Sequence, residues 1–249
     1  MSKKIICIIT ILCTLLVLGG CSNKEEKDVK TTKVTLNTID DDEKTIVIDP
    51  GHSSVGDFEK EPMAPGSDKL KYKDVLGAKG AYTNIYENET TVSIGKLLRD
   101  ILAEKGYNVI MTKEDVEDSI SNVERAKVGN DNNADLVIRI HADSAESSSA
   151  KGASVLVPAK NQHTEDIYET SATYGEKLIN NYIKELNIHN RGVIERDDMT
   201  GFNWSDVPVV LIEMGFLSNK EDDNFISDVS NHEKIANAIA NGIDNCFSE

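Results

Sequence analysis

Ala134-Asp-Leu-Val-Ile-Arg-Ile-His-Ala142 reads as a buried strand that ends in chemistry. Leu136 to Ile140 is apolar except for Arg139, and strand alternation puts Arg139 on the same side as His141. Two more stretches follow this plan. Thr45-Ile-Val-Ile-Asp49 is a short strand stopped by Pro50-Gly51, which presents His52. Val207-Pro-Val-Val-Leu-Ile-Glu213 is a core strand that presents Glu213. Further strands are predicted at Tyr107–Met111 and Ala153–Val157.

Helices fill the intervals. After Glu87, the residues Ile94, Leu97, Leu98, Ile101 and Leu102 recur at the spacing of one helical face, and Gly106 ends the pattern. Ser121 to Asn130 reads as a helix capped by Ser121 or Asn122. Thr164–Leu186 is mostly helical, and Asn231–Cys246 closes the chain with Ile235, Ile239 and Ile243 in register. Strands alternating with helices predict an α/β fold: a central, mainly parallel, twisted sheet flanked by helices on both faces. Asp57 to Tyr86 is rich in Gly, Pro, Lys and Asp without clear periodicity and reads as a long loop.

In such sheets ligands collect beyond the carboxyl ends of strands. His52, His141 and Glu213 are expected there, with Glu87 opening a helix. Two histidines and a carboxylate make a catalytic zinc set, and a further carboxylate is what such a site needs as its base. Taken singly, His52 reads equally well as a turn residue, His141 as a hydrogen-bonded strand end, and Glu87 as surface charge. Glu213 is different, because it follows Pro-Val-Val-Leu-Ile and an unpaired buried carboxylate is costly.

The N-terminus reads as a targeting segment. Lys3 and Lys4 precede an apolar run from Ile5 to Leu18, shorter than the ~20 residues of a membrane-spanning helix, so residues 1–20 are expected to be a signal peptide. Leu18-Gly-Gly-Cys21 resembles a bacterial lipoprotein box, which implies lipidation of Cys21 and an extracytoplasmic, lipid-anchored protein on the outer face of the cell membrane. Residues 21–43 are polar and threonine-rich and read as a flexible tether. Residues 44–249 then form the catalytic domain. Of the four cysteines, Cys7 and Cys13 leave with the signal and Cys21 carries lipid. Cys246 remains alone, so no internal disulfide is expected. The net charge of −16 argues against nucleic acid as a partner.

From Lys44 to Phe247 the chain resembles the zinc-dependent N-acetylmuramoyl-L-alanine amidases of the amidase-3 type. The segments that carry the resemblance occur in the family's order. They are Val-Ile-Asp-Pro-Gly-His52, Glu87 opening an amphipathic helix, Asn-Val-Ile-Met-Thr112, Glu124-Arg125-Ala126, the stretch through His141, Gly152-Ala-Ser-Val, and Pro208-Val-Val-Leu-Ile-Glu213-Met-Gly-Phe-Leu-Ser-Asn219. The resemblance implies a phosphorylase/hydrolase-like fold, a zinc ion as cofactor, peptidoglycan as substrate, and cleavage of the amide between N-acetylmuramic acid and L-alanine. It makes His52 and His141 the histidine ligands, Glu87 the carboxylate ligand and Glu213 the catalytic base. Glu89 competes with Glu87, and the register of the helix that follows favours Glu87. Arg139 and Asn203 are candidate substrate-binding residues, Arg139 reading equally as a partner for one of the many acids. Trp204 reads as groove or core. Two departures from the family pattern, Ile-Arg-Ile before His141 and the insertion Ser53–Tyr82, bear on substrate preference. A catalytically silent or activator-dependent wall-binding lipoprotein and a zinc peptidase cutting within the stem peptide are the competing readings, and a regulatory protein is a further expected partner.

Overall fold

In the computed structural model, which describes residues 43–248, strands and helices alternate along the chain. The first half runs β1 (Thr45–Pro50), β2 (Asp57–Pro62), β3 (Leu70–Asp74), α1 (Glu87–Glu104), β4 (Asn108–Met111), α2 (Asn122–Asp131) and β5 (Leu136–Asp143). The second half runs β6 (Ala153–Pro158), α3 (Tyr168–Leu186), β7 (Asn190–Arg196), α4 (Thr200–Asn203), β8 (Val209–Phe216), α5 (Lys220–Ser227) and α6 (Val229–Phe247). The expected signal peptide, the lipidated Cys21 and the tether up to residue 42 lie outside the described residues. No helix among the described residues is long and apolar enough to cross a membrane.

Six strands form one sheet in the order β4-β1-β5-β8-β6-β7. Its pairs are parallel except β6 with β8, the mainly parallel sheet that the alternation of elements predicts. Period-two alternation sorts the side chains into two faces. Ile46, Ile48, Ile138, Ile140, Val210 and Ile212 enter one core, which α1, α3 and α6 cover with Ile94, Leu98, Leu178, Ile179, Ile235 and Ile239. The intervening residues Val47, Val137, Val209 and Leu211 enter a smaller core with Phe202 of α4 and Val128 of α2. Continuing the alternation, Asp49, Arg139, His141 and Glu213 fall on this second side. Register then sets Asp49 beside Arg139 and His141 beside Glu213.

The loop expected from Asp57 to Tyr86 is a partial misreading. It contains β2 and β3, an antiparallel two-stranded sheet. Its strands carry no alternating apolar pattern because neither side is consistently apolar: Asp-Phe-Glu-Lys-Glu-Pro buries Glu61, whose carboxylate accepts from the Val123 amide. The edge strand β7 is mostly exposed and so lacked a hydrophobic signature. Glu213 and His141 sit within their strands rather than at the ends, since β8 runs on to Phe216 and β5 to Asp143 through an irregularity in their pairing. At α2 it is Ser121 that caps: its hydroxyl accepts from the Glu124 amide at 3.2 Å while Glu124 accepts from the Ser121 amide at 3.0 Å, a reciprocal capping box.

Candidate metal centre and active site

The turn after β1 brings the first histidine into place. Pro50 and Gly51 end the strand, and His52 takes a left-handed backbone, φ 62°, a conformation sparsely populated by residues with a Cβ. Gly51 is required by space: a Cβ there would lie 2.3 Å from the His141 ring. Glu87 is the first residue of α1, and its carboxylate reaches both histidines. Its Oε1 lies 3.1 Å from His141 Nδ1 and 3.3 Å from His52 Nε2. The candidate ligand atoms of His52, Glu87 and His141 all fall within 4.8 Å of one another. Glu89 is exposed and its carboxylate turns back to the Tyr86 amide, so of the two acids only Glu87 joins the cluster.

These side chains are held from behind. His52 Nδ1 donates to the Val75 carbonyl at 2.8 Å, which leaves Nε2 as the ring nitrogen that faces Glu87. Glu87 accepts from the Ala78 and Ala142 amides at 2.8 and 3.0 Å. Such outer bonds fix ligand tautomer and orientation in metal sites. Below them lies an ionic frame. Asp49 is fully buried and accepts from Arg125, Arg139 and Thr112, each at 2.7 Å. Arg125 also donates to the carbonyls of Pro50 and Ile120, and the Lys113 ammonium donates to the His52 carbonyl. The left-handed turn that carries His52 is therefore clamped from two sides.

The electrostatics separate the two carboxylates. Burial pushes the Glu87 carboxyl up, but hydrogen bonds from His141 and His52, with the charge of His52, outweigh it and hold the group well below the usual range. Glu213 has no such partner. Burial first, and then the negative charges of Glu87 and Asp143, push it well above the usual carboxylate range. Burial also pushes His141 down to about 4, so its ring is neutral. For His52 burial works against protonation, but the Glu87 hydrogen bond and charge prevail and raise it.

The cluster fits a divalent cation. Donors about 2.0–2.1 Å from a tetrahedral zinc stand ~3.3 Å apart, which is the spacing of Glu87 Oε1 to the two ring nitrogens. Glu213 Oε2 and His141 Nε2 are buried with no hydrogen-bond partner among the described residues. Buried polar atoms left this way call for a functional explanation.

A cavity of about 430 Å³ opens beside the cluster, lined by His52 and His141, by Arg139 and Asn122, and by Lys60 and Tyr72 of the β2–β3 hairpin. Arg139 borders it, but its guanidinium is engaged by Asp49 and, at 2.9 Å, by Asn122, the pairing weighed against a substrate role. Asn203 does not border this cavity. It is buried, donates to the Asp197 and Met63 carbonyls, and lines a separate hollow with Gln162 and His163. Trp204 donates to the Pro62 carbonyl at 2.9 Å, so Asn203 and Trp204 together pin the hairpin. Asp49, Arg125 and Lys113 are supporting residues beyond those expected from the sequence. The available signal was an acid inside an apolar strand two residues beyond Val47, on the side where Arg139 also falls.

The family model for N-acetylmuramoyl-L-alanine amidase, Amidase_3, matches residues 46–245. The chain is 30% identical over 207 residues to the probable cell wall amidase LytH of Staphylococcus epidermidis, covering 82% of this chain and 59% of that protein. It thus spans about three fifths of that relative's length. Among solved structures, the apo form of the N-acetylmuramyl-L-alanine amidase Ami1 from Mycobacterium abscessus shares the fold, with a TM-score of 0.74 at 23% identity over 82% of this chain and 99% of that one. The CwlD amidase from Clostridioides difficile, in complex with the GerS lipoprotein, matches at 26% identity and a TM-score of 0.66, over 82% and 98% of the two chains. With the family model covering all but the first residue of the sheet and the last two of α6, the chain belongs to the Amidase_3 family of N-acetylmuramoyl-L-alanine amidases.

Proposed function

We propose that this protein is a zinc-dependent hydrolase of peptidoglycan that cleaves the amide between N-acetylmuramic acid and L-alanine. The observation that carries the reading is the convergence of His52, Glu87 and His141 next to Glu213, a half-buried residue whose Oε2 is buried without a partner among the described residues and which stands in strand register with His141. His52, Glu87 and His141 would hold the metal. Zinc, when bound, supplies Lewis acidity: it acidifies water toward neutral pKa and polarises an amide carbonyl.

The chain's own groups do the rest. Glu213 Oε2 takes a proton from the attacking water as the water oxygen bonds to the lactyl carbonyl carbon. The C–N bond then breaks, and Glu213 returns the proton to the departing alanine nitrogen. A raised carboxyl pKa suits both halves of this task. Arg125 and Lys113 hold the His52 turn, and the amides of Ala78 and Ala142 orient Glu87. Action outside the cytoplasm follows from the substrate, and anchoring by lipid at Cys21 rests on the sequence Leu-Gly-Gly-Cys. A protein partner, as CwlD has in GerS, belongs to the same proposal.

The test is hydrolysis of purified peptidoglycan with zinc, with a chelator, and with Glu213→Ala, the new ends identified by mass spectrometry. Stem peptides with an exposed L-alanine amine are expected, lost with chelator and slowed about 10²–10⁴-fold in the variant. Cuts within the stem would replace the reading with a peptidase. No release despite bound zinc would favour a silent wall-binding protein.

A further inference from the structure

The cations around the cavity are not equivalent. Arg125 and Arg139 are both spent on Asp49. Lys71 is spent on Asp198, through its carboxylate and its main-chain carbonyl. The two histidines face Glu87. Lys60 alone among the lining cations has no carboxylate partner among the described residues. In a chain with 43 acidic and 27 basic residues, a cation at a cavity wall that pairs with neither of its sequence neighbours Glu59 and Glu61 is an unusual placement.

Lys60 is also oriented. It stands opposite Tyr72 in the register of β2 and β3, and its ammonium lies over the Tyr72 ring, 5.3 Å from the centroid. Phe58 meets that ring edge-on at 6.1 Å and so buttresses the ring that supports the charge. A cation resting on an aromatic face keeps its outward N–H groups available to a second partner. The hairpin is itself tied down, by Trp204 to Pro62 and by the Asn122 side chain to the Lys73 carbonyl, so the charge is presented from a fixed wall.

Resting on the amidase reading, we propose that Lys60 is a specificity-determining residue that receives a carboxylate of the stem peptide. The peptide half of the substrate is the half that carries carboxylates. The cavity that holds Lys60 also holds His52 and His141, so the charge faces the same space as two of the proposed metal ligands.

The experiment compares two muramoyl peptides that differ in one group, an α-carboxylate on the residue after L-alanine, left free or converted to an amide. Lys60→Gln is expected to lower kcat/KM for the free acid about tenfold, through KM, and to leave the amide within about twofold. The preference should shrink with added salt. Lys73→Gln removes the same charge from the same hairpin outside the cavity and should leave the preference intact. Binding of both peptides to the metal-free protein, measured by calorimetry, repeats the comparison without turnover. Equal losses for both peptides, or none for either, would reduce Lys60 to a structural partner of Tyr72 and overturn the proposal. Absence of cleavage with the binding preference preserved would overturn the amidase reading and leave the role of Lys60 standing. Absence of any binding preference in the wild type would overturn it.

Discussion

The two faces of the sheet are built from the same strands and do opposite work. Toward α1, α3 and α6, alternate residues of β1, β5 and β8 are apolar, mostly Ile, Val and Leu, and pack into one continuous core. Toward α2, α4 and the hairpin, the residues in between start apolar and turn ionic along each strand: Val47 to Asp49, Val137 to Arg139 and His141, Leu211 to Glu213. One face thus carries nondirectional burial, which tolerates exchange of similar volumes. The other carries hydrogen-bonded charge, where each partner leaves another unsatisfied if removed. A strand can serve both because its side chains alternate. The long helices on the first face let the second be given over to polar groups that contribute little net stability.

The largest effect is expected where the second face meets its ionic frame. Asp49→Asn leaves Arg125 and Arg139 buried without their shared carboxylate, a loss of about 3–5 kcal/mol. It should also loosen the His52 turn that Arg125 supports. The pH dependence gives a second readout. Burial raises the Asp49 carboxyl, but Arg125, Arg139 and the Thr112 hydroxyl prevail and hold it well below the carboxylate range. A depressed native pKa contributes stability that is fully present above the unfolded value of about 3.9 and is lost as the pH falls through the native value. Urea unfolding between pH 7 and pH 2 should therefore show a steeper acid loss in the wild type than in D49N. Parallel pH curves would mean that Asp49 is not the charge that holds this face.

Next comes the apolar face, where Leu178 of α3 is fully buried. Leu178→Ala should cost about 2–5 kcal/mol by leaving a cavity. Well below its melting temperature, the variant should bind zinc and turn over like the wild type. If its activity per folded molecule fell as far as that of Asp49→Asn, the faces could not be treated as separable.

What the sequence displayed follows the same division. Period-two alternation and the helical stripe of Ile94, Leu98 and Leu102 are signals of burial, so the sheet and its main helices were readable. Polar elements that owe their place to tertiary bonds were not. The β2–β3 hairpin has no apolar stripe and is fixed by Glu61, Trp204 and Asn122 from distant segments. For the site, residue type and strand position marked His52, His141 and Glu213, and helix register chose Glu87 over Glu89. The partners of Asp49 were invisible because pairing across 76 and 90 residues leaves no local trace. Asn203 illustrates the converse: its nearness to the Glu213 strand in sequence does not bring it to the cavity.

The smallest change with the sharpest consequence is a single methyl at Gly51. Its Cβ would come within 2.3 Å of His141 Cε1 and 2.5 Å of Nδ1, while the backbone there needs no left-handed conformation. The strain falls on the imidazole, whose ring atoms are the nearest neighbours of that Cβ. Overpacking of this kind costs about 1–3 kcal/mol of stability, because the apolar face still holds β5 in place. The effect on the centre is larger in proportion. A displaced ligand should lower zinc affinity about 10–100-fold, as loss of an orienting partner does, and competition with a chromophoric chelator would measure it. Unchanged affinity in G51A would remove His141 from the ligand set, and with it the claim that the polar face was shaped to hold a metal.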